Sequence, residues 1–136
     1  MKRISMILVA GLLVLSSFRS DKPAYQLLNS KGKKVKFKEL VSKSLQADVV
    51  FFGELHNNPI SHWLQYELSK QLFNQTGGKL ILGAEMFETD NQIAVNQYLA
   101  NEIDVDSLKK VARLWPNFKT DIAPLLDFAR ENKLPF

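Results

Sequence analysis

The chain has no cysteine among its 136 residues. That excludes disulfides, thiolate metal sites, cysteine nucleophiles and a lipid carried on an N-terminal cysteine. Histidine is scarce, so imidazole chemistry rests on His56 and His62 alone. Neither sign of charge dominates. The formal net charge is +4, but Lys2, Arg3 and Arg19 lie in an opening stretch without acids, and the remainder carries 15 basic against 14 acidic residues. The surplus there is Lys31, Lys33, Lys34, Lys36 and Lys38 beside a turn signal. Such a run reads as a solvated face, and no nucleic-acid partner is expected. Long apolar runs are also missing: Ile4 to Leu15, broken by Ser5, is short for a membrane span. After the positive Lys2-Arg3 it has the length of a signal-peptide core, so residues 1–20 are expected to be a signal peptide or N-terminal anchor. An exported protein of the periplasm or cell envelope follows, and a chain without cysteine tolerates an oxidising compartment.

What is present organises around two similar stretches. Ala47-Asp48-Val49-Val50-Phe51-Phe52-Gly53-Glu54-Leu55-His56 runs from β-branched and aromatic residues into glycine and then into polar groups. Lys79-Leu80-Ile81-Leu82-Gly83-Ala84-Glu85-Met86-Phe87-Glu88 repeats the pattern. Each apolar run predicts a strand covered on both faces. Parallel neighbours would bring Glu54, His56, Glu85 and Glu88 to one rim, beyond the carboxyl ends of the strands.

The rest of the chain reads as support. Tyr25 to Phe37 predicts a hairpin with its turn at Asn29-Ser30-Lys31-Gly32, and lysines on its open face discourage edge-to-edge pairing. A short helix over Glu39–Gln46 follows. Asn58-Pro59 is a helix start, with asparagine as cap and proline at the first helical position, and the helix should run to about Asn74. Ile60, Trp63, Leu64, Leu68 and Leu72 form its inward face. His62, Tyr66, Ser69 and Phe73 form a second stripe, covered by later chain or open to a ligand or a second subunit. Thr89 or Asp90 and then Asp104 can cap two further helices, the second stopped by Pro116, and a last helix is expected over about Asp121–Asn132. Lys133-Leu134-Pro135-Phe136 looks like the opening of a third strand. The predicted fold is therefore α/β, with parallel strands alternating with helices after a small β-hairpin. Two long strands are too few to cover four helices, so residues 21–136 are expected to be the N-terminal part of a larger domain.

Carboxylates and imidazoles at such a rim suit two tasks. Glu54, His56 and Glu85 could hold a divalent metal ion, as carboxylate and imidazole do for zinc, manganese or iron. They could also serve as general acid and base without a metal. The spacing Glu-x-His puts both side chains on one side of an extended segment. Glu88 could instead favour the N-terminus of the following helix. Tyr25, Tyr66 and Tyr98 could each ligate haem iron through a phenolate.

Taken together, these motifs resemble the ChaN-like haem-binding uptake family of the Tiki/TraB superfamily. The resemblance is carried by Phe37-Lys38-Glu39-Leu40, by Ala47 to His56 with His62, by Gly83 to Glu88, and by Leu126 to Pro135. It implies an α/β domain of the bacterial cell envelope that binds haem for haem or iron uptake, alongside an outer-membrane uptake system. A homodimer stays open. The resemblance implies a pocket lined by Glu54, His56, Glu85 and Glu88, and with His62 and Tyr66 these are the expected haem-site residues. A binding protein is favoured over an enzyme. The alternative is a metal-dependent hydrolase using Glu54, His56 and Glu85, since metal-dependent hydrolysis is known elsewhere in the superfamily. The chain departs from the family in having no lipid-bearing cysteine and about half the family's length.

Overall fold

Only one pair of strands forms among the described residues. The structure is a computed structural model that describes residues 23–136, so the signal-peptide or anchor reading of residues 1–20 lies outside it. Strand β1 (Leu27–Leu28) pairs antiparallel with β2 (Lys34–Val35), Leu27 opposite Val35 and Leu28 opposite Lys34. The turn between them is built by Asn29, whose Oδ1 accepts from the amides of Lys31 and Lys33, and by Gly32 at φ 71°. A side chain at that positive φ would be strained.

Five α-helices follow: α1 (Phe37–Ser44), α2 (Pro59–Gln75), α3 (Gln92–Leu99), α4 (Val105–Val111) and α5 (Ala123–Glu131). Their starts are local chemistry. Asn58 Oδ1 accepts from the amides of Ile60 and Ser61 to open α2, with Pro59 at its first position. Asp104 accepts from Ser107 to open α4. Each cap satisfies amides that the helix cannot pair internally. A 3₁₀ turn (Thr89–Asn91) leads into α3 and a π-helical turn (Phe118–Ile122) into α5. Helix α4 stops at Val111, short of Pro116, because Ala112 is already extended at φ −110°, ψ 146°.

The expected parallel sheet is absent, and the α/β assignment is corrected to a mostly helical fold with one small hairpin. Among the described residues the amides of Asp48 to Gly53 make no main-chain hydrogen bond. Their side chains are not covered on both faces either: Val49 is 66% exposed, Phe51 93% and Ile81 76%. β-propensity expresses how well a residue fits a pleated, half-buried surface, and without a neighbour the same residues form no strand. In the second stretch the amides of Leu80 and Phe87 bond locally, and that of Leu82 reaches a distant segment, donating to Pro135 O at 3.0 Å, so the chain from Lys133 onward lies beside this stretch without forming a strand.

Two buried clusters hold the helices. Met86, Val95, Tyr98, Leu108, Phe118, Ile122 and Leu126 join α3, α4, α5 and the π-helical turn. Val41, Leu68 and Leu72 join α1 to α2, with Phe52 and Leu80 packed against them. Trp63, expected to face inward, is 46% exposed, at the side of α2 where its ring meets Tyr25 edge to face. No helix among the described residues is long and apolar enough to cross a membrane.

Candidate functional site

The two unpaired stretches do meet, but as the walls of a cleft. Ala47–Glu54 lies on one side and Lys79–Met86 on the other, with Gln65, Leu68 and Leu72 of α2 between them and a volume of about 1520 Å³. Most of the lining is apolar, with Val49, Val50, Phe51, Ile81, Leu82 and Leu125, and its polar side chains are Ser44, Asp48, Glu54, His56, Gln65, Ser69, Thr76, Lys79 and Glu85. Small-molecule sites have this composition. Gly53 and Gly83 line it as well, neither needs a positive φ, and among the described residues no atom beyond the immediate chain neighbours lies within 4 Å of where their Cβ would be.

Glu54 is the hub at one end. Its side chain is 7% exposed, and Oε1 stands 3.2 Å from Nδ1 of His56. Oε2 accepts from the Gln65 side-chain amide and lies 3.1 Å from Nδ1 of His62. That last contact is close enough for charge but lies off the line of a hydrogen bond, so Nδ1 of the buried His62 has no hydrogen-bond partner among the described residues. Its Nε2 donates to the main-chain carbonyl of His56 at 3.1 Å and lies 4.0 Å from Asp121 Oδ2. Asn117 Nδ2 donates to the same carbonyl at 2.7 Å and to Asp121 at 2.9 Å. The Asn117 bond is the main reason that the Asp121 carboxyl is held below its ordinary range, with Thr120 and the charge of His62 adding to it against the opposing effect of burial.

The His56 ring is oriented by this arrangement. A carboxylate facing Nδ1 puts the proton there and leaves the lone pair on Nε2. The ring rests edge to face on Trp115, centroids 4.6 Å apart, and its side chain is 52% exposed. Nε2 has no protein partner among the described residues.

Of the residues expected at a rim, the structure brings Glu54, His56 and His62 into contact and puts Glu85, exposed, in the cleft wall. Glu88 instead pairs with Arg113 at 2.8 Å, which also holds Asp90. Tyr66 packs edge to face on Phe128 with Lys70 Nζ 4.9 Å from its ring centre. Phe73 also packs on Phe128, so later chain covers much of the second stripe of α2. Tyr98 is buried and donates to Asp127, with Arg130 over its ring. Among the described residues no three His, Asp or Glu side chains form a metal-holding group, which leaves the divalent-metal hydrolase without support. Sequence reasoning missed Gln65, Lys79, Trp115, Asn117 and Asp121. Gln65 alone carried a signal, lying one turn beyond His62 on the same helix.

A helical frame around an apolar cleft, with one oriented imidazole at its end, is the outline of a small-ligand-binding domain. Residues 40–136 match the family described as haem-binding uptake, Tiki superfamily, ChaN, and the chain belongs to that family. Protein RETICULATA-RELATED 5, chloroplastic, of Arabidopsis thaliana is 30% identical over 101 residues, which are 70% of this chain but 14% of that protein. No solved structure matches the chain.

Proposed function

We propose that the cleft binds haem, with Nε2 of His56 as the iron ligand, and that the protein serves haem or iron uptake. The observation that carries this reading is the Glu54–His56 contact at 3.2 Å, which leaves Nε2 as the free donor at an apolar cleft. The residues fit the group. The apolar wall suits the porphyrin faces, the open Cβ positions of Gly53 and Gly83 leave room beside it, and Lys79 supplies a cation for a propionate. Haem contributes the iron; the chain orients the imidazole, through Glu54 at Nδ1 and through His62 and Asn117 at the carbonyl. Export to the cell envelope, as the Lys2-Arg3 and Ile4–Leu15 pattern suggests, would set the protein beside an outer-membrane uptake system, as a monomer or a homodimer.

The test is a haem titration followed in the Soret region. A saturable shift in the wild type, lost in His56→Ala and kept in Tyr66→Phe, is expected. An equal shift in His56→Ala would remove His56 as ligand. No shift from the folded chain would end the haem reading for this chain. Fractionation of expressing cells tests export, and sedimentation velocity with and without haem tests the dimer.

A further inference from the structure

The hairpin and α1 carry a charge that neither the fold nor the cleft uses. Lys31, Lys33, Lys34, Lys36, Lys38 and Lys43 are all exposed. None of them is ion-paired among the described residues, where the Lys and Arg pairs belong to Lys70, Lys109, Arg113 and Arg130. The one acid within this stretch is Glu39, and its Oε1 is engaged by the Lys36 amide at 3.2 Å. The pairing register gives the surface an apolar component as well. Leu28 stands opposite Lys34, hence on the same face of the hairpin, and is 55% exposed. Beside the hairpin, the Tyr25–Trp63 pair, ring centres 5.7 Å apart, leaves both rings partly open.

We propose that this face docks on the surface of an anionic phospholipid bilayer. The choice of partner follows from the combination. Exposed lysines without partners are attracted to a negative headgroup layer. Tryptophan and tyrosine, each with an apolar body and a polar edge, sit well at the boundary between headgroups and acyl chains. A nucleic acid would use the same charge, but the exposed aliphatic Leu28 beside Lys34 suits the edge of an acyl layer better than a phosphate backbone. The surface is separate from the cleft: none of these lysines lines it, nor does Tyr25, Leu28 or Trp63. The proposal therefore stands independently of the haem reading.

The test uses the full chain with phosphatidylcholine vesicles, with and without phosphatidylglycerol, followed by co-sedimentation and tryptophan emission. The comparison is with a Lys31→Gln, Lys33→Gln, Lys34→Gln, Lys36→Gln variant. Ile4–Leu15 is unchanged in it, so binding through that stretch is common to both proteins. The wild type should prefer the phosphatidylglycerol vesicles and lose that preference in high salt. The variant should partition at least about tenfold more weakly onto them, since each lysine near such a surface contributes about 1 kcal/mol. Emission should shift to the blue on binding, with the shift absent from Trp63→Phe. Should the variant misfold, the salt dependence and the Trp63 shift still decide the matter. Equal binding to both vesicle types, an unshifted Trp63, or tighter binding to a DNA duplex than to the anionic vesicles at the same salt would overturn the proposal.

Discussion

The buried ring of His62 holds the main chain of His56, Nε2 donating to the carbonyl at 3.1 Å. The two histidines thus differ in kind: one is exposed and aimed, the other is 4% exposed and acts on the backbone. Removing the His62 ring empties buried space and strips a donor from that carbonyl and a neighbour from Glu54. His62→Ala should lose about 2–4 kcal/mol of stability, read as a lower urea midpoint.

Glu54→Gln keeps the size of the side chain but replaces the charge that faces Nδ1 of His56. Outer partners of this kind tune a ligand's basicity and direction. Haem affinity should fall about 10–100-fold in the Soret titration, with the circular dichroism spectrum unchanged. Unaltered affinity would mean that the contact at 3.2 Å does not orient the ligand.

Phe51 and Phe118 make a matched pair of opposites. Phe51 is 93% exposed and Phe118 4%. Phe51→Ser should change stability by no more than about 0.5 kcal/mol and weaken haem binding. Phe118→Ala should cost about 3–5 kcal/mol. Thermal unfolding of the two variants side by side is the check.

Tyr98 supplies a signal at high pH. Burial first, then its hydrogen bond to Asp127, pushes the phenol up to about 12 from 10.0. The folded state therefore holds this proton when the unfolded chain has released it. The contribution to stability is complete below about pH 10 and is lost as pH rises through about 12. Absorbance titration should show one tyrosine ionising near 12, and Tyr98→Phe should remove that step together with its share of the alkaline stability loss.

How much was legible depends on how far each signal reaches along the chain. Asn58 and Asp104 cap helices through bonds to amides two or three residues away, so sequence reveals them. The hairpin turn at Asn29 and Gly32 is equally local. Val49 to Phe52 has the composition of a strand, but a strand exists only with a partner, and composition is silent about whether one arrives. The Glu54–His56 proximity follows from a spacing of two. Asn117 and Asp121 reach the site across some sixty residues of chain, from a π-helical turn with no sequence signature, and only the fold discloses them.

The lone bond from the Leu82 amide to Pro135 has a counterpart in time. Amides with no main-chain acceptor exchange their hydrogens with solvent quickly, whereas those in packed helices wait for larger openings. The wall from Asp48 to Gly53 should then exchange almost at once, and the amides of α3 and α5 last. Leu82, in the opposite wall, falls between. Its rate is a clock for how often the end of the chain lets go of the cleft.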